Sequence, residues 1–463
     1  MTRHLSRRAA LAGILSVMGT GLVAAADKVR RVGGINRDLG ASVSVKDFGA
    51  SGDGVRDDSV AILAAFNHIR TLGGGTVEFP NTGNTTYLAS YGWLIPTNCS
   101  IKLNGCKIKA TTTFGQGTIP ANGTASSVFC IAGSLTLGAT LTADTQNIAV
   151  LGGGAVIDLR YEEQTGIVPG TSGIMVITTG APLVSSLWRT HDIIISDVQI
   201  KNSMFYGLYI QGSRDVLIEN VVCDKPANLG FVIVSGDRIT FNNCLGSYAQ
   251  ERVHGQGAGY WNEPNQTWET ITNVVYNNCK AAFNKKSGFV VWGPGQDTKT
   301  SIKLNNCKAY KNFWDIVKAT YTVGSPTASA GFYIAQGTGS AEFEIEFNNC
   351  VAEDEYGAGF RYNRVSTGTA RQRVIYNSCI AARCGLINSL SQYYSAFSFT
   401  TSSGTATSPI ILNNPTVIDA STQTVGYGIY FAHASGCSVN NPRFGRASGW
   451  KGANMVGQCP GRS

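Results

Sequence analysis

The stretch Arg238-Ile239-Thr240-Phe241-Asn242-Asn243-Cys244 decides the fold of this 463-residue chain, because its pattern returns along the sequence. It is a short β-like run that ends in Asn-Cys. Similar runs end in Asn278-Cys279, Asn306-Cys307, Asn349-Cys350 and Ser378-Cys379. The sequence contains no Cys-x-x-Cys pair, so the cysteines indicate an internal repeat and not a metal-binding framework.

A second landmark, a glycine followed by an apolar residue, comes after each of these runs. Cys279 lies ten residues before Phe289, and Cys350 lies ten residues before Phe360. The unit continues towards the N-terminus with a period of 23 residues, through Cys244, Val221 and Val198. A period in the twenties that lengthens by insertions is typical of a solenoid, in which neighbouring coils bury a shared core.

Stacked coils place equivalent residues about 4.8 Å apart, so the repeat predicts four columns of side chains. The first is an internal hydrogen-bonding ladder of Asp197, Asn220, Asn243, Asn278, Asn306, Asn349, Ser378 and Asn414. The second contains Val198, Val221 and the five cysteines, which we interpret as buried thiols. The third, where a turn or a close neighbour requires glycine, is Gly207, Gly230, Gly259, Gly288, Gly331, Gly359 and Gly428. The fourth is the inward-pointing apolar residue after each glycine.

The composition supports an elongated all-β protein. Hydrophobic residues make up 43% of the chain, and there are 55 glycines and only five methionines. A chain of this length exceeds one ordinary compact domain, and a solenoid reconciles that length with a single core.

The N-terminus predicts an export signal. Arg3, Arg7 and Arg8 precede an uncharged stretch that ends in Ala24-Ala25-Ala26, and Ser6 to Leu11 resembles the twin-arginine signal. We therefore predict a signal peptide at 1–26, a linker at 27–42 and a secreted or periplasmic protein without a membrane span after signal removal. A membrane-anchored N-terminus is the alternative. Removing the three arginines lowers the formal net charge from +8 to +5, which suits an acidic glycan and not nucleic acid.

The ends of a solenoid expose strand edges and need covers. Val60, Ile62, Leu63, Phe66 and Ile69 form one apolar helix face after a candidate N-cap at Asp57-Asp58. This spacing predicts a helix that caps the N-terminal end. We place the β-helix domain, with its cap, at 43–445 and a C-terminal tail at 446–463.

A family resemblance lies in this same region. Val45-Lys46-Asp47-Phe48-Gly49-Ala50-Ser51-Gly52-Asp53-Gly54, followed by Asp57-Asp58-Ser59, looks like the opening signature of the pectate-lyase-like superfamily. That group includes rhamnogalacturonases, polygalacturonases, epimerases and phage tailspike depolymerases. The resemblance implies a single-stranded right-handed parallel β-helix from Val43 to about Phe444. Turn and helix-cap roles explain Asp53, Asp57 and Asp58 better than a metal site or an acid pair.

The best-marked catalytic motifs of this group are missing. Polygalacturonase-like enzymes carry Asn-Thr-Asp-Gly on one coil, but this chain has Asn228-Leu229-Gly230 at the matching place. The Asp-Pro-His motif of alginate epimerases is also absent, and Asp224-Lys225-Pro226 does not replace it. Neither chemistry is expected by its usual route.

Alternation along the Gly-containing strands predicts an outward file of Tyr209, Val232, Trp261, Val290, Tyr333, Arg361, Ser398 and Tyr430. Aromatic rings among polar groups suit sugars, whose C–H faces stack on aromatic planes. The alternative is an apolar sheet face covered by loops. The predicted substrate-binding residues are Tyr209, Trp261, Lys285, Lys286, Trp292, Tyr333 and Arg361.

The densest ionisable cluster in the repeat predicts the catalytic residues Glu251, Arg252, His254 and Glu263. Hydrolysis would use Glu251 and Glu263 as a carboxylate pair. Elimination from a uronic acid would use His254 as the base, with Arg252, Lys285 or Lys286 holding the substrate carboxylate. Each charged residue, taken alone, has a solvated loop position as its alternative.

The sequence therefore predicts an exported protein that cleaves a polysaccharide, by hydrolysis or by elimination. A glycan-binding protein with little turnover, of the tailspike kind, is one alternative, and a uronate epimerase is another. We predict no metal site and no cofactor, since no close acidic set calls for the calcium that lyase relatives suggest. Whether the protein is a monomer or a trimer stays open.

Overall fold

Three rows of parallel strands wind around one core. The computed structural model describes residues 40–133, 143–166, 168, 170–178, 189–252, 256–265, 269–293, 299–315, 320–321, 330–336, 342–364, 372–385, 395–401, 410–418, 427–432, 437–445 and 455–456. From Gly75 onwards, each coil contributes at least one strand, or part of a longer strand, to each row, which is the topology of a parallel β-helix.

The front sheet contains the glycine-bearing strands and has 13 strands in the described part of the chain. They are β5 Gly92–Leu94, β8 Gly123–Thr124, β9 Ser127–Ala132, β11 Ser172–Ile177, β13 Tyr206–Gln211, β16 Leu229–Ile233, β19 Ala258–Asn262, β22 Phe289–Gly293, β27 Ala330–Gln336, β30 Ala358–Arg364, β33 Phe397–Thr401, β36 Ile429–Ala432 and β39 Met455–Val456. All pair in parallel except β5 with β8.

The back row and the side row share a second sheet, because β10 and β12 run through both. The back row is β1 Ser42–Ser44, β3 Gly75–Glu78, β6 Cys99–Lys102, β10 Thr145–Asp158, β12 Thr190–Lys201, β14 Ser213–Glu219, β17 Gly236–Asn242, β20 Ile271–Asn277, β23 Lys299–Asn305, β28 Glu342–Asn348, β31 Gln372–Asn377, β34 Ile410–Asn413 and β37 Ser438–Asn440. The side row continues from the ends of β10 and β12 and otherwise contains β2 Asp53–Asp57, β4 Thr86–Ala89, β7 Lys107–Ala110, β15 Val222–Asp224, β18 Leu245–Ser247, β21 Lys280–Ala282, β24 Lys308–Tyr310, β29 Val351–Glu353, β32 Ile380–Ala382, β35 Thr416–Ile418 and β38 Arg443–Gly445. A separate hairpin joins β25 Trp314–Asp315 to β26 Thr320–Tyr321.

The core is built from stacked apolar columns, as the repeat predicted. The inward residues of the front sheet are in register from Leu208 to Ile429 and are buried. Five successive ring pairs of this column, from Phe231 to Phe397, stack with centroids 4.4–5.0 Å apart. This spacing matches the separation of neighbouring strands, so each ring packs directly on the next.

Close neighbours leave no room for a side chain in the predicted glycine column. A Cβ at Gly207 would lie 2.4 Å from the sulfur of Cys223 and 2.6 Å from the carbonyl oxygen of Gly230. The side row therefore packs against the front sheet at a distance that no side chain allows.

The five repeat cysteines are free and buried, which confirms their prediction as core thiols. Each S–H reaches a carbonyl oxygen of the preceding coil; the Sγ of Cys307, for example, lies 3.4 Å from the oxygen of Tyr276. Burial raises the pKa of the Cys244 thiol well above its usual range. These cysteines act as small apolar residues with a weak donor.

The predicted asparagine ladder forms, but it is not internal. Asn243, Asn278, Asn306 and Asn349 are exposed at bends with positive φ, and their amides bond the preceding coil at 3.3–3.4 Å. A tighter, partly buried ladder lies one residue earlier, with bonds of 2.8–2.9 Å through Asn242, Asn277, Asn305, Asn348, Asn377 and Asn413. The left-handed backbone at the bend turns the side chains of Asn243 and its equivalents towards solvent.

The predicted cap is helix α1, Ser59–Thr71. Ile62, Leu63, Phe66 and Ile69 are buried, whereas Val60 is exposed, contrary to its predicted place on the apolar face. The Asp58 carboxylate accepts the backbone N–H groups of Ser51 and Gly52, at 2.6 and 3.2 Å. These bonds connect Ser51 and Gly52, in the family-like signature, with the residue that precedes helix α1.

The predicted domain boundaries are close to the strand limits. Strand β1 begins at Ser42, one residue before the predicted start, and β39 lies inside the predicted C-terminal tail, where it pairs with β36. The predicted signal peptide lies outside the described residues. Among those that are described, no helix has the length and apolar character needed to cross a membrane.

Candidate functional site

The outer face of the front sheet carries the predicted outward file in one continuous register. The paired residues are Tyr209, Val232, Trp261, Val290, Tyr333, Arg361, Ser398 and Tyr430. Each lies next to an inward residue of the core column, because side chains alternate along a strand.

The middle of this outer face is covered. Val232, Val290, Tyr333 and Arg361 are at most 5% exposed, and the first three belong to a second apolar cluster outside the main core. The predicted alternative, an apolar face under loops, therefore describes these positions. The partly exposed aromatic residues lie at the border of this cluster.

Two pairs of stacked rings form that border. Trp261 and Trp292 stack with centroids 5.8 Å apart and planes at 16°, and Tyr206 and Tyr209 stack at 5.3 Å and 22°. All four side chains are partly exposed. Together they provide flat aromatic surfaces of the kind that bind sugar rings.

The end of β19 positions a carboxylate beside the tryptophans. Asn262 points inwards, where it accepts a 2.7 Å hydrogen bond from the Tyr276 hydroxyl and donates a 3.0 Å bond to the carbonyl oxygen of Val290. Trp261 and Glu263, on either side of Asn262, therefore share the outer face. The Trp261 indole N–H donates to Glu263 Oε2 at 2.6 Å.

A second carboxylate, Glu269, is bound to the same face. Its Oε1 accepts a 2.9 Å bond from the Gln211 amide, and its Oε2 accepts the backbone N–H of Asn265. The Tyr209 hydroxyl in turn donates to the Gln211 oxygen at 3.1 Å. Glu269 is only 1% exposed, so it is fixed inside this network.

Burial and charge together perturb the acidity of the group. Burial raises the pKa of Glu263, and the charge of Glu269 raises it further, while the hydrogen bond from Trp261 opposes both. Burial also raises the pKa of Tyr206 and Tyr209, with added contributions from Glu263. A carboxyl group that holds its proton to higher pH than usual is suited to general acid chemistry.

Two of the other predicted catalytic residues, Glu251 and Arg252, form ion pairs. Glu251 pairs with Lys286 at 2.6 Å. Arg252 pairs with Glu162 at 2.9 Å and lies 5.4 Å from the centre of the Tyr161 ring. Both side chains are thus bound to other segments of the β-helix.

The main chain carries Glu251 and Glu263 to opposite ends of the neighbouring strand β16. The backbone N–H of Arg252 donates to Ala227, before β16, whereas that of Glu263 donates to Ile233, at its end. The strand between these points spans about 13 Å at roughly 3.3 Å per residue. This spacing joins main-chain positions and not the two carboxyl groups, so the carboxylate pair stays a prediction. Lys285 lies with Glu251, since its N–H donates to Ala249.

Two further predicted residues are Arg361 and His254. Arg361 lies over the Tyr333 ring at 5.2 Å, in the covered part of the face. It is three coils from Trp261, or about 14 Å, and it is only 3% exposed, so its predicted contact with substrate stays a prediction. His254 lies outside the described residues, so its predicted role as a base stays a prediction.

The sequence did not single out Glu269 or Tyr206. Glu269 lies two residues before β20 and six residues after Glu263, but the return of the chain onto Gln211 is a tertiary contact without a local signal. Within the described ranges, no three His, Cys, Asp or Glu side chains group in a way that could hold a metal ion.

Comparisons with known proteins show the fold. No family model matches the chain. The plasmin and fibronectin-binding protein A of Streptococcus pneumoniae is 29% identical over 182 residues, which cover 39% of this chain and 23% of that protein. The match therefore spans less than a quarter of this relative's length.

Two solved structures align over most of the chain. The A-module of the mannuronan C-5 epimerase AlgE4 of Azotobacter vinelandii has a TM-score of 0.62 and 17% identity, over 91% of this chain and 98% of that one. The Streptococcus pneumoniae surface adhesin PfbA has a TM-score of 0.58 and 15% identity, over 90% and 91%. At these identities the likeness shows a common architecture, the right-handed parallel β-helix of the pectate-lyase-like proteins.

Proposed function

Because the chain has the right-handed parallel β-helix fold of the pectate-lyase-like proteins, we propose that it acts outside the cytoplasm and cleaves a polysaccharide at the front sheet. One observation carries the proposal: Glu263, a partly buried carboxyl group with a raised pKa, is bonded to a tryptophan that stacks on a second one. The N-terminal sequence supports export.

The four border rings are the sugar-binding part of the proposal. A sugar ring that stacks on Trp261 or Trp292 keeps its hydroxyl groups at the edge, within reach of polar side chains such as Gln211. Because the strands are parallel and in register, a ligand that runs along the helix axis meets a new coil about every 4.8 Å. A chain of sugars fits this repetition better than a single small molecule does.

Glu263 is the proposed proton donor. Its carboxyl proton passes to the glycosidic oxygen as the C–O bond breaks, which leaves Glu263 as a carboxylate. In hydrolysis, water then adds to the anomeric carbon and its proton restores the acid. In elimination, a base removes the C5 proton and a C4=C5 double bond forms in the uronic acid. Both reactions need the same donor.

Glu269 has a positioning role in this proposal. Its charge raises the pKa of Glu263, and its hydrogen bond to Gln211 orients a group on the sugar-facing surface. A buried carboxylate with two donors is held in place and does not reach a substrate atom.

Product analysis tests this proposal. The purified protein would be incubated with polygalacturonate, alginate, rhamnogalacturonan and a neutral glucan, while new reducing ends and the ultraviolet absorbance of unsaturated products are followed. We expect new reducing ends from at least one acidic polymer. Absorbance that rises with them indicates elimination, and its absence indicates hydrolysis. Unchanged polymer across the panel contradicts cleavage.

A binding protein without turnover is the second candidate, and the covered middle of the outer face favours it. Val290 is fully buried in the centre of that face, and the surface adhesin has the same architecture over 90% of this chain. This candidate predicts that a polysaccharide retards the protein in an affinity gel without any new product. An epimerase would instead change the proton NMR signals of the uronate residues without shortening the polymer.

A further inference from the structure

A strip of aromatic rings lies at a different place, the bend between the side row and the front sheet. We define the corner strip as Tyr248, Phe283 and Tyr310 with Lys308 and Lys311. Tyr248 and Phe283 stack with centroids 5.1 Å apart and planes at 7°, and Phe283 meets Tyr310 edge-on at 5.4 Å. The Nζ atoms of Lys308 and Lys311 lie 5.3 and 5.2 Å from the centre of the Tyr310 ring. The three rings are partly exposed.

The bend itself does not require these rings. Successive coils turn here through a residue with positive φ, and neighbours of these two coils use Asn202, Lys225, Asp354 and Arg383 for the same turn. Tyr248 and Phe283 have φ of 54° and 58°. Bulky residues are uncommon in this left-handed region, where asparagine is much better tolerated. Two adjacent coils therefore hold aromatic residues at a position that disfavours them.

Positively charged side chains outnumber negatively charged ones around the corner strip. The described residues of these coils place Lys280, Lys285 and Lys286 near the corner strip in addition to its own lysines. The carboxylates that oppose them are Glu251, which pairs with Lys286, Glu353, which pairs with Lys308 and Arg383, and Asp354, which follows Lys311 in the bend column and pairs with Arg383. Lys280 and Lys308 are direct neighbours on the outward side of the side row, although like charges repel there. An anionic ligand would relieve this repulsion.

We propose that the corner strip is a second polysaccharide-binding site, separate from the front-sheet site, and that its ligand is an acidic glycan. Sugar rings pack against the exposed parts of Tyr248 and Phe283, and the lysines bind the carboxylate or sulfate groups of the same chain. The lysines over Tyr310 keep one cationic side of the site in a fixed orientation. Such a site holds a long polymer against the surface of the β-helix without taking part in bond cleavage.

The test replaces both turn aromatics by the residue that the turn prefers. Tyr248→Asn with Phe283→Asn removes the rings and suits the backbone. The matched control is Ser378→Asn, an asparagine introduced at a positive-φ bend on another edge of the coil. Binding to alginate, polygalacturonate and dextran would be measured by affinity gel electrophoresis and calorimetry, at low and high salt, together with the melting temperature.

We expect the double variant to bind the two acidic polymers at least tenfold more weakly, while the control binds as the wild type does. Wild-type binding should weaken with added salt and be absent for dextran. Lys280→Gln with Lys311→Asn should weaken binding to the acidic polymers as well, which guards against a folding defect in the aromatic variant. A double variant with a lower melting temperature and unchanged binding would mean that the rings are only structural, and the proposal would be overturned.

The corner-strip proposal and the front-sheet proposal can be contradicted independently. If the corner strip binds polymer as proposed, the aromatic double variant has a higher KM on the polymer but an unchanged kcat on short oligosaccharides. If the front-sheet proposal fails and no substrate is cleaved, binding at the corner strip is still measurable. Equal binding of dextran and alginate, or binding that salt does not weaken, overturns the acidic-glycan assignment.

Discussion

The front sheet and the back row both carry glutamates, Glu263 after β19 and Glu346 on β28, but their surroundings shift the pKa in opposite directions. On the back row, burial alone would raise the pKa of Glu346, but the hydrogen bond and charge of Lys303, 2.9 Å away, lower it below its usual value. On the front sheet, Glu263 has a neutral indole donor and an anionic neighbour, Glu269, so its pKa is raised.

This difference shows that neighbouring side chains determine the pKa of a glutamate in this solenoid. The Lys303–Glu346 and Arg373–Glu344 pairs are solvent-exposed, and such pairs contribute little to stability. They keep the back face charged and soluble. On the front face, the described groups that act on Glu263 are the Trp261 indole and the Glu269 carboxylate, and the pKa of Glu263 is raised. We use the two faces below as test and control.

The largest expected effect is on catalysis. Glu263→Gln keeps the shape of the side chain but removes the transferable proton, so kcat should fall at least about 100-fold on the substrate found in the polymer panel. Glu346→Gln, the same substitution on the back row, should leave kcat unchanged. Steady-state rates of both variants test this contrast. If Glu263→Gln retains the wild-type rate and Glu251→Gln does not, the active centre lies at the other end of the front strands.

A buried glutamate, Glu355, lies in the coil that begins with β28 and should control how stability depends on pH. Glu355 is buried at the end of a ladder in which Asn284 bonds Asn312 and the Asn312 amide donates to Glu355 Oε1 at 2.7 Å. Burial raises the pKa of Glu355 to about 8, against a usual value of 4.5, although the bonds from Asn312 oppose the shift. The folded pKa exceeds the unfolded one, so the stability from the neutral form is complete below about pH 4.5 and is lost as the pH rises through 8.

Glu355→Asn should remove this dependence. An asparagine oxygen can accept both Asn312 donors, as Asn312 itself does for Asn284. At pH 9 we expect the variant to be more stable than the wild type by on the order of 2–4 kcal/mol, while at pH 5 it loses about 1 kcal/mol for the missing methylene. Urea unfolding between pH 5 and 9 measures both. Exposed Glu344→Gln, on the same coil, is the control and should follow the wild-type curve; a Glu355→Asn curve parallel to it would contradict the assignment.

A smaller effect should appear in the pH profile of the reaction. If Glu263 must be protonated, the rate falls as the pH rises through its pKa. Glu269→Gln removes the negative charge that raises that pKa, so the falling limb should move to lower pH. The measurement is kcat/KM against pH for the wild type, for Glu269→Gln and for Glu346→Gln, whose limb should not move. A limb that stays in place in Glu269→Gln means that the titrating group is not Glu263.

Most of the fold could be predicted from the sequence, because a repeat applies one local rule many times. The register of the glycine, cysteine and apolar columns follows from spacing alone, since neighbouring coils must pair strand on strand. The family-like signature then indicated the type of solenoid. The burial of Val232 and Tyr333 was not visible, because alternation shows which face a residue takes and not whether another segment covers that face.

The candidate site was predicted in part. The sequence identified the face and the Trp261–Glu263 segment, and it grouped Glu263 with Glu251 because both lie in the coil that begins at Cys244. In the structure their main-chain positions lie near opposite ends of β16, and the carboxylate that acts on Glu263 is Glu269. Closeness in sequence is a poor guide across a strand, where each residue adds about 3.3 Å.

The smallest expected effect concerns the two asparagine ladders. Ser378 interrupts the exposed column, whose amide bonds are 3.3–3.4 Å long, whereas Asn377 next to it belongs to the partly buried column with bonds of 2.8 Å. Ser378→Asn suits the positive φ of 52° and restores the column, so we expect a gain of about 0.5 kcal/mol in the free energy of unfolding. Asn377→Ser should lose about 1–2 kcal/mol, because it leaves partly buried amides without partners. Denaturant unfolding of both variants compares the ladders directly, and equal and opposite changes would show that exposure does not weaken the outer one.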